Sequence, residues 1–235
     1  MAEIKLSKRL SAIAALIPSG GGVADVGTDH GFIPAWLCQR GENSPIFAAD
    51  INPEPLERAA KTAADYGLEE QLSLVLTNGL LGFDARLIGC AVIAGMGGET
   101  IISILQRAAF TKSPDFTLVL QPMSKACELR RWLFKNGYIV TGEQLVEDGR
   151  LYELFSATGG QDCPYTEAEL CTGHTELISK NPLYARRLSE LIQKAERALD
   201  GLSQSSGADM AERIAEQKRL LQELLKLRAA TRRMA

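Results

Sequence analysis

Apolar residues in the first two thirds of the chain fall into short blocks separated by amphipathic stretches. Blocks at 22–26, 46–50, 72–76, 89–94 and 116–121 predict strands, and the stretches near 33–40, 53–66, 98–109 and 124–136 predict helices. An earlier helix starts at Ser7, a capping residue, with Leu10, Ile13, Ala14 and Ile17 on one face, and the Pro18–Gly22 segment stops it. Asn52 and Pro53 form a second start signal, and Ser124 is placed to cap the helix after the fifth strand. Strands alternating with helices imply a parallel sheet covered on both faces. The pattern then changes. Two β-prone runs, 138–147 and 151–155, flank Asp148-Gly149, a strong hairpin signal, so the sheet is expected to close with an antiparallel pair.

Residues 156–165 read as a linker, and strand signals vanish beyond it. Leu188, Leu191, Ile192, Ala195, Leu199 and Leu202 make one helical stripe, and Met210, Ile214, Leu221, Leu224 and Leu225 make another. A polar turn at 203–207 joins them, which gives an antiparallel, coiled-coil-like helical hairpin. The expected organisation is an α/β domain over 1–160 and a helical domain over 161–235.

Composition narrows the class. With 235 residues, 46% of them apolar, the chain can build one full domain and a smaller one. No apolar run reaches the roughly 20 residues of a membrane helix, and the N-terminus lacks a signal-peptide pattern. The five cysteines are scattered without a C-x-x-C pair, which argues against a zinc site or a disulfide framework and fits a cytoplasmic setting. The net charge of −3 hides an asymmetry. Residues 180–235 carry 12 Lys and Arg against 7 Asp and Glu, whereas residues 1–179 carry 14 against 22. A basic tail on an acidic body hints at a polyanionic partner.

The most informative segment is Asp25-Val26-Gly27-Thr28-Asp29-His30-Gly31 at the end of the first strand. Nineteen residues past Gly31, Asp50 ends the second strand. Glycines admit backbone close to a ligand, and a carboxylate at the next strand end can take both ribose hydroxyls, so the pair suggests an adenosine-containing cofactor. The dinucleotide fingerprint does not fit, since Asp29 and Phe32 stand where it needs glycine. The spacing D-x-G-x-x-x-G resembles the first motif of class I S-adenosylmethionine-dependent methyltransferases. A sulfonium and an ammonium favour nearby carboxylates where a pyrophosphate would not. Asn78, after the third strand, could pair with an adenine edge. Three glycines in Gly95-Met96-Gly97-Gly98 let backbone approach a ligand where a methyl acceptor should meet the cofactor. Gln121, ending the fifth strand, could meet a base edge or satisfy buried backbone. His30 is a candidate polar contact or proton acceptor. Arg130, Arg131 and Trp132 read as an amphipathic helix with a buried Trp and exposed bases, and His174 as incidental.

Leu6-Ser7-Lys8-Arg9-Leu10, Asp25-Val26-Gly27-Thr28-Asp29-His30, Ile93-Ala94-Gly95-Met96-Gly97-Gly98, Leu120-Gln121-Pro122 and Leu151-Tyr152-Glu153-Leu154 together resemble the bacterial tRNA (adenine-22-N1)-methyltransferases over roughly residues 4–156. The resemblance implies a Rossmann-like methyltransferase domain followed by a helical, coiled-coil-like one. It also implies S-adenosylmethionine as cofactor and tRNA as partner, with no metal and no membrane. On this reading Asp25, Gly27, Asp29, Gly31, Asp50, Ile51, Asn78, Gly79, Ala94 and Gly95 hold the cofactor. Arg9, Met96 and Gly97 touch the substrate, and His30 and Gln121 are the catalytic candidates. The family usually has Asp where Asn78 stands and Asn where Met123 stands. The rivals are a methyltransferase of a small molecule or protein, with the hairpin serving dimerisation, and an inactive cofactor-binding module.

Overall fold

The protein is described by a computed structural model covering residues 3–203 and 210–234. The predicted turn at 203–207 therefore lies, beyond Ser203, outside the described residues. Two compact units divide at Cys163/Pro164.

The first unit is a seven-stranded sheet. Its strands are β1 (Val23–Val26), β2 (Ile46–Asp50), β3 (Leu72–Leu76), β4 (Cys90–Gly97), β5 (Thr117–Ser124), β6 (Tyr138–Asp148) and β7 (Arg150–Gly159). They lie in the order β3-β2-β1-β4-β5-β7-β6. β1 to β5 pair in parallel, and β7 runs antiparallel between β5 and β6. The central strands are apolar on both faces because helices cover both. Along β1, Val23 belongs to a core shared with α1 (Lys8–Ala14), α2 (Phe32–Arg40) and α3 (Pro53–Tyr66). Ala24 and Val26 belong to the opposite core, shared with α4 (Gly98–Gln106) and α5 (Ala126–Lys135). The Asp148-Gly149 turn joins β6 to β7, with Gly149 at φ +74°.

Ser7 caps α1 as expected, accepting the Leu10 N–H at 3.3 Å, but other local expectations change. Asn52 occupies the N-cap of α3 but makes no side-chain cap bond. Ser124 ends β5 instead of capping α5; the cap position is Lys125, in the left-handed region at φ +57°. Residues 156–159 continue β7 and are not linker, because Ala157, Ser156 and Phe155 pair with β5. Arg130 is the largest correction: it is 2% exposed, within a helix whose bases the sequence reads as exposed.

The second unit holds α6 (Glu167–Thr172), α7 (Thr175–Ile178), α8 (Tyr184–Ser203) and α9 (Met210–Met234). Leu188, Ile192 and Ala195 of α8 and Leu224 of α9 are buried, and the Ala195 carbonyl accepts from the Gln217 amide at 3.0 Å. That contact joins positions nearly equidistant from the connection, which sets the two helices antiparallel. The sequence reading missed α6. Its signal is a capping box, in which Thr166 and Glu169 exchange bonds with each other's backbone N–H. Among the described residues no helix is long and apolar enough to cross a membrane.

Candidate functional site

At the carboxyl end of β1 the chain turns sharply at Gly27, φ +77°, and starts α2 after Gly31, φ +66°. The Gly27 and Thr28 N–H groups both donate to the Ala49 carbonyl, at 2.8 and 3.1 Å. That ties the turn to β2 one residue before Asp50. The Asp50 carbonyl in turn accepts the Thr77 N–H at 2.8 Å, which places Asn78 at the neighbouring strand end. Asp25, Asp50 and Asn78 are thus set in a row across three strand ends by backbone bonds alone. This is the crevice where open parallel sheets bind ligands.

A cavity of about 470 Å³ opens over this turn, within the range of small-molecule pockets. Arg9, Asp25, Gly27, Asp29, His30, Gly31, Ala94 and Gly95 from the sequence-derived set line it, joined by Leu10, Thr28, Phe32, Ile33, Met123 and Tyr152. Asp50, Ile51, Asn78 and Gly79 stand beside it on the ends of β2 and β3 without lining it. Met96, Gly97 and Gln121 also lie outside the lining. Around Ala94, Met96 and Gly97 the β4–β5 register shifts twice, and this bulge leaves Gly95 and Met123, both in the cavity lining, out of the ladder. Gln121 is fully buried: its Oε1 accepts from Arg9 at 2.8 Å and its Nε2 donates to the Pro122 carbonyl at 3.1 Å.

The electrostatics favour a cationic guest. Burial pushes the Asp25 carboxyl up from 3.8 to about 6. Asp50 acts in the same direction, while the Thr28 hydroxyl, outside strict hydrogen-bond geometry, and the Arg9 guanidinium pull it back. The Thr28 hydroxyl is buried, and among the described residues it has no partner in strict hydrogen-bond geometry. Asp29 accepts two bonds from Arg58, at 3.0 and 2.5 Å, and lies 3.6 Å from His30 Nε2. His30 stacks on Phe32, ring centroids 5.7 Å apart. Asp50 Oδ1 takes the Asn52 N–H at 2.8 Å, and Asn78 Oδ1 accepts from Arg107 at 3.1 Å. A buried carboxylate, an orphaned hydroxyl and a second acid at the adjacent strand end suit a molecule with a cationic amino-acid end and a ribose.

Sequence reading did not single out Tyr152 or Phe32 as lining. Their signal was there in part, since an aromatic just past a hairpin turn, or at a helix start beside a glycine turn, faces the strand ends.

An ionised buried carboxylate costs stability. The folded-state value lies above the unfolded one, so the cost is absent below about pH 4, builds between about 4 and 6, and persists above, reaching about 3 kcal/mol. Asp25→Asn is expected to raise the melting temperature by about 3–6 °C at pH 7.5, after the cost of burying the amide, and by nothing near pH 4. Calorimetric scans across that range check it; an equal gain at both pH values would contradict the assignment.

A parallel sheet closed by an antiparallel β7, with a cavity over β1 and a bulged glycine strand at β4, defines the class: a Rossmann-like methyltransferase fold. Residues 6–155 match the model of the methyltransferase-domain family, and the chain belongs to that family. It is 29% identical over 235 residues to the tRNA (adenine(22)-N(1))-methyltransferase of Bacillus subtilis (strain 168), covering 96% of this chain and 99% of that one. The solved B. subtilis M1A22 tRNA methyltransferase TrmK superposes with TM-score 0.84 at 27% identity, covering 96% of this chain and all of that one. M. capricolum TrmK, solved with its cofactor product S-adenosyl-homocysteine, gives TM-score 0.76 at 26% identity, with 96% and 97% covered.

Proposed function

We propose that this protein methylates N1 of an adenine in tRNA, the adenine at position 22, using S-adenosylmethionine. The observation that carries the reading is the row Asp25–Asp50–Asn78 beside a cavity lined by two carboxylates, in a chain similar along its whole length to a tRNA (adenine(22)-N(1))-methyltransferase.

S-adenosylmethionine, when bound, supplies an electrophilic methyl group on a sulfonium. Asp25 would hold its cationic amino-acid end, Asp50 its ribose hydroxyls, and Ile51, Asn78 and Gly79 its adenine. Asp29, Gly27, Gly31, Ala94 and Gly95 would complete the cradle. Adenine N1 carries its own lone pair, so no base is needed to create the nucleophile. Positive charge passes from one partner to the other inside a cavity whose walls include Asp25 and Asp29, so those carboxylates favour the charged product as well as the charged reactant. Leu10 and Ile33 would give that exchange an apolar wall. N1 alkylation releases no proton, so His30 serves as a polar neighbour of the acceptor. Met96 and Gly97 shape the acceptor side through the β4 bulge. A paired adenine hides N1, so the base must leave its helix. Residues 164–235, which hold the basic end of the chain, would grip RNA phosphates.

The test is methyl transfer from labelled cofactor to an unmodified tRNA transcript. Label that appears as 1-methyladenosine in the A22 transcript and is absent from an A22G transcript is the expected result. Equal labelling of both, or none of either, overturns the reading.

A further inference from the structure

Three neighbouring strand ends gather two guanidinium groups over one ring at the cavity. Arg150, the first residue of β7, lies over Tyr152 with its guanidinium carbon 4.8 Å from the centroid. Arg9, on α1, lies over the same ring at 5.5 Å. Both spend hydrogen bonds on neutral acceptors: Arg150 on Met123 Sδ at 3.0 Å, and Arg9 on Gln121 Oε1 at 2.8 Å. Among the described residues Arg150 forms no ion pair, and it is exposed. Gln121 cannot reorient, since its Nε2 is already committed to the Pro122 carbonyl and the Met123 sulfur. It is a positioning residue for Arg9. Asp148 fixes the same helix from the other side of the turn, accepting the Arg9 backbone N–H at 3.0 Å.

We infer that Arg150 and Arg9, held over Tyr152, form the phosphate contact of the catalytic unit that seats the target nucleotide at the cavity. The inference rests on the tRNA reading above and deepens it. Residues 1–179 carry an excess of 8 acidic charges, so this part of the chain repels a polyanion on average. A base can enter a cavity walled by Asp25 and Asp29 only if its phosphates meet cations at the rim. Guanidinium groups spread over an aromatic ring keep donors directed outward and lose little freedom on binding, which suits them to phosphate.

The experiment measures binding of the unmodified A22 transcript to the full chain across a potassium chloride series, with calorimetry of S-adenosylhomocysteine alongside. Arg150→Met is expected to weaken tRNA about tenfold and to flatten the slope of log affinity against log salt by about 0.7–0.9, one phosphate contact, with the cofactor product bound as in wild type. Arg150→Lys is expected to restore the slope. Arg9→Met should flatten it by a further similar amount. An unchanged slope in Arg150→Met overturns the inference. An Arg9→Met variant that loses the cofactor product but keeps the slope overturns Arg9's share and assigns it to the cofactor. If the wild-type chain neither binds nor methylates the transcript, the tRNA reading itself falls, which is a different outcome.

Discussion

Gly27→Val is expected to abolish cofactor binding while leaving a folded protein. Gly27 sits at φ +77°, where a β-branched residue is a genuine outlier, costing roughly 1–2 kcal/mol or more. The three atoms nearest the added carbon all belong to Met96, its methyl end first, a flexible neighbour that can swing aside. The fold therefore tolerates the side chain better than the turn does. The backbone leaves the left-handed region, and Thr28 and Asp29, which follow it on the cavity wall, move with it. We expect S-adenosylhomocysteine to bind at least about 100-fold more weakly by calorimetry, a loss of about 3 kcal/mol. Gly31→Ala is the contrast. There the new carbon would lie 2.8 Å from Ala59 Cβ and 3.0 Å from its Cα, on the rigid α3, so the penalty falls on folding and the melting temperature drops. Gly27→Val binding within threefold of wild type would show that the turn is not the cradle.

The sheet was legible because its central strands are buried on both faces. Val23–Val26 has no exposed position, so an apolar run broken only by the buried Asp25 is the signal. The hairpin was legible because Gly149 needs a positive φ. Edge strand β3 shows where this logic weakens: Leu74 and Leu76 are apolar yet exposed on the outermost strand of the sheet. Asp25, Gly27, Gly31 and Asp50 were legible through spacing, since one strand-turn-helix-strand unit fixes their separation. The bond from Arg9 to Gln121 and the place of Tyr152 in the wall were not, because both depend on α1 packing against β5, β6 and β7, more than a hundred residues away. Arg130 was least legible of all. An Arg-Arg pair in a helix normally faces water, and only the register of β6 against β7 brings Glu143 and Glu153 to it.

That buried triad carries a large expected stability effect. Arg130 Nε donates to Glu143 at 2.6 Å and its terminal nitrogen to Glu153 at 2.9 Å, while the guanidinium lies 4.9 Å over the Phe155 ring. Burial alone would lower the Arg130 value, but the two carboxylates outweigh it and hold the guanidinium above its ordinary range. Arg130→Met removes the cation that these two carboxylates share, one of them 1% exposed, in the core. The loss expected is about 3–5 kcal/mol, or about 6–20 °C in melting temperature at pH 7.5. The cation is missed most where both acids are ionised. The gap to wild type should therefore narrow toward pH 5. Replacing both acids as well, in Arg130→Met/Glu143→Gln/Glu153→Gln, should recover most of the loss at neutral pH. Because Glu153 adjoins Tyr152 on β7, the single variant should also loosen the wall that carries Arg150, so tRNA affinity should fall before the protein melts. A single variant that melts within about 2 °C of wild type at pH 7.5 would mean that the carboxylates find other compensation.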